Sequence, residues 1–280
     1  MSDPGLESRL RARLRRIARG GTGRRRDAPA DRAGGAGGRW TTSPEALAAA
    51  AGAAAAGRLA GGSRPAEAPP GVEGRLLVWR RPIAGSELQG LEELAGGALA
   101  DSFVFVDVET CGLGDLPIFL VGLLARSDGG WELRQDLAPD PSAEPELLRR
   151  TAAVLGARGD WVSFNGRSFD VPRIRRRCRR HEVEWPEPAR HRDLLHEVRR
   201  RWKACLPDCR LATVESRLLG LERGPDVPGR EVPERYRDFV RTGELRWLAP
   251  VIEHNRRDVA ALAALLARVL AEDAGPGGER

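Results

Sequence analysis

Lysine is almost missing from this chain: Lys203 is the only one in 280 residues, and every other base is arginine. With so much alanine and glycine alongside, the imbalance has the look of a genome-wide composition bias. Arginine richness therefore argues less for nucleic-acid binding here than it otherwise would. Cysteine is scarce as well. Cys111, Cys178, Cys205 and Cys209, with no legible signal peptide, lead to an expectation of free thiols in a reducing cytoplasm. Cys205 and Cys209 have the spacing of half a zinc site, but nothing nearby offers a second ligand pair. Long hydrophobic runs are lacking too. The alanine stretch over 47–56 is broken by Gly52 and is too weakly apolar to span a bilayer, so no membrane association is expected.

The formal net charge of +6 is unevenly spread. Residues 1–40 hold eleven arginines and four acids, whereas residues 101–280 hold thirty bases and thirty acids. Residues 1–74 read as a low-complexity Arg/Ala/Gly-rich tail. It has too few large apolar side chains to offset the entropy of ordering, so it is expected to be mostly disordered. Within it, Leu6, Leu10, Leu14 and Ile17 share one helical face over 6–19, and a second helix is admitted over 44–60. Residues 75–100 form a lead-in with a strand-like segment near 75–79 and a helical pattern near 88–94. A compact domain is expected over 101–273, followed by a flexible terminus over 274–280.

What is present in that domain is organised around Phe103-Val104-Phe105-Val106-Asp107-Val108-Glu109-Thr110. The apolar, β-branched and aromatic run predicts a strand buried on both faces. Alternation puts Asp107 and Glu109 on one face. Two adjacent carboxylates at a strand end repel each other and lose hydration, which suits one wall of a divalent-metal site. The pair alone reads equally well as a strand ending in two solvated acids.

Further strands are predicted over 118–125, 131–137 and 160–165, with Ser127-Asp128-Gly129-Gly130 as a hairpin turn. Helices are predicted over 141–155, from Ser168 with Pro172 in the first turn, and over 211–219, 234–241 and 245–272. The sum is an α/β domain with a mixed sheet flanked by helices.

Two other places give the first acids company. Asn165-Gly166-Arg167-Ser168-Phe169-Asp170 carries an acid just inside a helix that leaves a strand end, and His254-Asn255-Arg256-Arg257-Asp258 puts His254 and Asp258 on one helical face. Singly, Asp170 also reads as a helix-dipole residue and His254–Asp258 as a surface pair. The helix after Asp170 carries Arg173, Arg175, Arg176, Arg177, Arg179 and Arg180, six arginines in eight residues. That face reads either as a phosphate track or as a solvated basic surface. Asp193 and His196 read as scaffold.

In this order the motifs resemble those of the DEDD exonucleases of the RNase H-like superfamily, which include the proofreading nucleases. The nearest resemblance is to the YprB-like group of bacterial RNase H-like proteins. It runs from about residue 103 to 270, through His191-Arg192-Asp193-Leu194-Leu195-His196 and the segment 202–211. The tail is not covered. One departure stands out: histidine-bearing relatives separate His and Asp by four residues and tyrosine-bearing ones by three, and this chain has histidine with three.

The resemblance implies a 3′–5′ exonuclease that hydrolyses phosphodiester bonds of DNA or RNA with two Mg²⁺ or Mn²⁺ ions, on a single-stranded 3′ end. Asp107, Glu109, Asp170 and Asp258 would be the metal ligands and His254 the general base. Thr110, Asn165, Arg173 and Arg176 would touch the substrate, and Gly112 and Gly114 would let it approach closely. Two rivals keep the fold: a catalytically silent nucleic-acid-binding module, from which loss of an acid is expected, and a structure-specific endonuclease with differently spaced acids.

Overall fold

The computed structural model describes residues 70–274 apart from residue 113. The helices predicted over 6–19 and 44–60, residues 1–69 of the predicted tail, and residues 275–280 lie outside the described residues. Among the described residues, seven strands form one sheet: β1 (Gly71–Glu73), β2 (Leu76–Pro82), β3 (Phe103–Thr110), β4 (Ile118–Ser127), β5 (Gly130–Leu137), β6 (Asp160–Ser163) and β7 (Arg190–Asp193). Their order is β1-β2-β5-β4-β3-β6-β7. The β1 to β4 part is antiparallel, while β6 and β7 run parallel to β3. This is the mixed sheet expected from the pattern.

The helices are α1 (Leu91–Ala95), α2 (Gly97–Ser102), α3 (Glu144–Gly156), α4 (Asp170–Arg180), α5 (Leu194–Arg201), α6 (Leu211–Val214), α7 (Val232–Thr242) and α8 (Ala249–Ala274). The predicted helix over 211–219 is divided: α6 passes into a π-helical turn over Glu215–Leu219. A short 3₁₀ turn (Leu245–Trp247) precedes α8.

Alternation along β3 decides which helix meets which face. Val104, Val106 and Val108 pack with Leu147 and Leu148 of α3 and Val171 and Ile174 of α4. Phe103 and Phe105 point the other way, into a cluster with Leu194 and Val198 of α5 and Val259, Leu262 and Leu266 of α8. Asp107 and Glu109 continue this second row. The apolar row thus anchors the strand, and the carboxylates emerge where it ends, under α8.

The lead-in over 75–100 supplies structure of this same sheet. Leu76 and Leu77 of β2 and Leu88 and Leu91 around α1 are fully buried, and β2 pairs with β5 from Leu77↔Leu137 to Pro82↔Glu132. β1, from the last residues of the predicted tail, pairs with β2. β7 has no apolar run at all, which hid it from a hydrophobic pattern; Arg190-His191-Arg192-Asp193 is an edge strand made by its backbone ladder to β6.

Candidate active site

The parallel register brings two chain segments to the same edge of the sheet. Phe105 lies opposite Val162, so β6 ends at Ser163 while β3 runs on to Thr110, and the turn that leaves β6 continues alongside Asp107 and Glu109. That turn is built tightly. Asn165 adopts a left-handed conformation, φ 62°. Asp193, at the head of α5, accepts hydrogen bonds from Asn165 N (2.7 Å), Arg167 N (3.1 Å) and Leu195 N (3.2 Å). A Cβ on Gly166 would lie 2.3 Å from Ser163 Oγ and 3.2 Å from Asp170 Oδ2. Glycine therefore lets the turn fold under Asp170, which opens α4.

The third element is α8. A Cβ on Gly122 of β4 would lie 2.3 Å from Asn255 Oδ1 and 2.8 Å from Val259 Cγ2. Gly122 sits opposite Asp107, so its bare backbone lets α8 settle directly onto the carboxylate row. Asn255 is fully buried there. Its Nδ2 donates to Asp107 Oδ2 (2.8 Å) and to Asp107 O (3.3 Å). Its Oδ1 accepts from Gln135 Nε2 (2.8 Å), which also donates to Ile252 O (2.8 Å). A buried carboxamide pair thus fixes the orientation of Asp107.

One turn on, His254 and Asp258 border the same space. His254 Nε2 lies 3.8 Å from Glu109 Oε1 and 3.7 Å from Asp258 Oδ2. Its Nδ1 meets Asp226 Oδ1 at 2.6 Å. Arg223 bonds Glu215, Asp226 (2.7 Å) and Asp258 at once. Sequence reasoning missed Asn255, Gln135, Asp226 and Arg223. The first two read as ordinary polar positions in a helix and a strand, and the last two lie in a Gly/Pro loop without periodicity.

The electrostatics show how crowded the acids are. Asp107 is pushed well above the usual carboxylate range, first by burial and then by the charges of Asp258, Glu109 and Asp170. Burial raises Glu109 to about 7 against the pull of His254, with Asp258 and Asp170 adding to the rise. Burial likewise raises Asp170 to about 7 although Arg173 opposes it, and raises Asp258 against His254 and Arg223. Four carboxylates that feel one another out of water form a donor set of hard oxygens, the chemistry that suits Mg²⁺ or Mn²⁺. Among the described residues, no three His, Cys, Asp or Glu side chains already close around one metal position. Arg223 engages Asp258 Oδ1.

The expected substrate residues divide. A shift in strand register between Glu109 and Thr110 turns Thr110 at the strand end, and its hydroxyl lies 3.5 Å from Arg173 Nη1. Arg173 also packs over the exposed Phe169 ring, 5.6 Å from its centroid. Asn165 lines a cavity of about 450 Å³ with Phe164, Leu195, Arg199, Cys209, Arg210 and Leu211. Arg176 is turned to the β3–β4 connection, with Nη2 3.4 Å from Gly114 O and Nε 3.7 Å from Asp115. Arg177 of the same run is buried between Glu144 (2.8 Å) and Asp115 (3.2 Å), a structural brace for that connection.

Residues 104–270 match the family model of the RNase H superfamily. The chain belongs to that superfamily. Its members are generally nucleases and usually employ divalent metals. A curated relative, the uncharacterized protein YprB of Bacillus subtilis (strain 168), is 34% identical over 177 residues, which cover 61% of this chain and 42% of YprB. The chain therefore spans less than half the length of that relative. Among solved structures, the family B DNA polymerase of the hyperthermophilic archaeon Pyrobaculum calidifontis is similar with 15% identity and a TM-score of 0.48, over 60% of this chain and 24% of the polymerase.

Proposed function

We propose that the chain is a metal-dependent 3′–5′ exonuclease acting on a single-stranded end of DNA or RNA. The observation that carries this reading is the convergence of Asp107, Glu109, Asp170 and Asp258 from β3, α4 and α8, each raised by burial, with Asp107 and Glu109 raised further by the charges of the others. An acid cluster with no substrate chemistry would be expected to be diluted or neutralised by pairing; among the described residues, Asp258 alone of the four has a direct guanidinium partner, Arg223.

In this reading Asp107, Glu109, Asp170 and Asp258 would hold two Mg²⁺ or Mn²⁺ ions. Bound there, the ions would supply charge neutralisation at the phosphate and a more acidic water. The protein does the rest. Asn255 and Gln135 keep the Asp107 oxygens aimed into the site. His254 Nε2, facing the gap between Glu109 and Asp258, takes the water's proton. Arg173, next to Asp170 and Thr110, is positioned to meet a phosphate, and Asn165 to meet the neighbouring nucleotide. Arg176, engaged with Gly114 and Asp115, would have to leave them to meet the substrate strand. No helix among the described residues is long and apolar enough to cross a membrane, which suits a nucleic-acid enzyme without demanding one.

A gel of 5′-labelled single-stranded DNA and RNA with Mn²⁺ tests the proposal. A ladder shortening from the 3′ end is expected. Internal cuts would replace it by an endonuclease, and intact but retarded substrate by a binding module.

A further inference from the structure

His254 is gripped from outside the site by a carboxylate that belongs to no motif. Asp226 Oδ1 lies 2.6 Å from His254 Nδ1 and also accepts the Val227 N–H at 2.9 Å; its other oxygen takes Arg223 Nη1 at 2.7 Å. Both oxygens are thus engaged. The loop that carries it, Gly224-Pro225-Asp226-Val227-Pro228, is stiffened by two prolines. Val227 anchors it, 7% exposed in a cluster with Phe119, Tyr236 and Ile252. An adventitious surface ion pair would need none of this support.

We propose that Asp226 is the positioning residue for His254: it holds the imidazole with its proton on Nδ1, so that the Nε2 lone pair faces the carboxylate cluster. This rests on the nuclease reading, in which His254 Nε2 receives a proton from water. A neutral imidazole has one donor and one acceptor nitrogen, and which is which follows from the hydrogen bond at the other. With Nδ1–H given to Asp226, Nε2 is the acceptor, directed at the space between Glu109 and Asp258. Without that bond the ring is free to take the opposite tautomer or turn away. When the ring accepts a proton, the fixed carboxylate also stabilises the imidazolium, as in a carboxylate-oriented histidine of any hydrolase. Arg223 completes the device. It holds Asp226 and Asp258 together, tying the residue that orients the base to an acid one helical turn away.

The test uses the full chain and has a readout independent of turnover. The chain has four histidines, His181, His191, His196 and His254, few enough to assign in a long-range ¹⁵N–¹H spectrum at a pH where the rings are neutral. His254 should show protonated Nδ1 in the wild type and lose that signature in Asp226→Asn, with the other histidines unmoved. On labelled single strand with Mn²⁺, Asp226→Asn should lower kcat by roughly 10–10²-fold with KM nearly unchanged. Asp226→Glu should recover part of the loss, and Asp238→Asn on α7 should change nothing. An Asp226→Asn protein that keeps both the Nδ1–H signature and its kcat overturns the proposal. A tautomer change with unchanged kcat overturns it as a positioning role. An inactive wild type whose His254 tautomer still depends on Asp226 overturns the nuclease reading and upholds the pairing.

Discussion

Glu109 and Asp170 are both held near 7, chiefly by burial, and Asp107 and Asp258 are raised as well. A carboxyl whose folded value exceeds its unfolded value near 4 keeps its proton longer in the native state. Below about pH 4 it makes no difference to stability. As pH rises from about 4 to 7 the unfolded chain gives up this proton while the fold keeps it, which costs the fold about 3–4 kcal/mol for a shift of this size. The metal-free protein should therefore lose stability between about pH 4 and pH 7, and Asp107→Asn or Glu109→Gln should remove part of that loss. In melts at about pH 8 without metal, these variants should match or exceed the wild type by several degrees. Mn²⁺ should raise the Tm of the wild type more than that of the variants. If both variants melt several degrees earlier at every pH, the acids are structural. His254 carries a separate expectation. His254→Ala should lower kcat by roughly 10²–10⁴-fold with little change in KM. Because the His-to-Asp spacing resembles that of the tyrosine-bearing DEDD exonucleases, His254→Tyr should restore part of the rate if the chain is of that type. Near-normal turnover of the alanine variant would make the histidine a bystander.

At the scale of elements, the close approach of α8 to β4 sets the depth of the site. Adding one methyl at Gly122 pushes against Asn255 and Val259, neither at the free end of a long side chain. Gly122→Ala should cost about 1–3 kcal/mol and should also reduce activity, because the helix cannot retreat without lifting Asn255 from Asp107. Asn255→Ala separates the two effects, since it removes the hydrogen bond to Asp107 without moving the helix. Urea melts and turnover of both variants decide this, and a Gly122→Ala protein with wild-type melting and rate would show that the packing is slack. The same elements show which parts of the site were readable in advance. Alternation puts Asp107 and Glu109 on one strand face and spacing puts His254 and Asp258 on one helical face, whereas Asp170 joined them only through the resemblance to a known family; their residue types suit the proposed chemistry. Asn255 and Gln135 could not be found that way. A carboxamide has no charge to mark it, and its importance arises only when α8 lies across the row Asp107, Gly122 and Gln135 on β3, β4 and β5. Asp226 and Arg223 reach the site by a loop, where spacing along the chain says nothing about distance.

Across the whole molecule, the strands near the centre of the sheet were legible because burial on both faces leaves an unbroken apolar run, as in β3 and β4. The edges were not. β7 is polar throughout, and β1 follows a stretch whose composition gives no pattern to read, so both depend on pairing to an already formed neighbour. The position of β1 bears on the basic tail. Residues 1–40 hold eleven arginines and four acids, against an even balance over 101–280. If the chain binds nucleic acid, that surplus should contribute by releasing counterions from phosphates, a force that is independent of sequence and weakens with salt. The cut that tests this must fall before residue 70, because Gly71–Glu73 pairs with β2 and covers the edge of the sheet. Removing residues 1–69 should leave the melting temperature and turnover at saturating substrate nearly unchanged. Affinity should fall, and the slope of log K against log salt should flatten by roughly 0.7 for each phosphate of a single strand that the tail no longer neutralises. A cut that also removes 70–82 should instead destabilise the protein, since Leu76 and Leu77 leave the core with it. Fluorescence anisotropy across a salt series reads the first effect and thermal melts read the second. An unchanged slope in the shorter deletion would leave the arginine surplus without a role in binding, and binding would then rest on the folded domain alone, with the arginines of α4 as its first candidates.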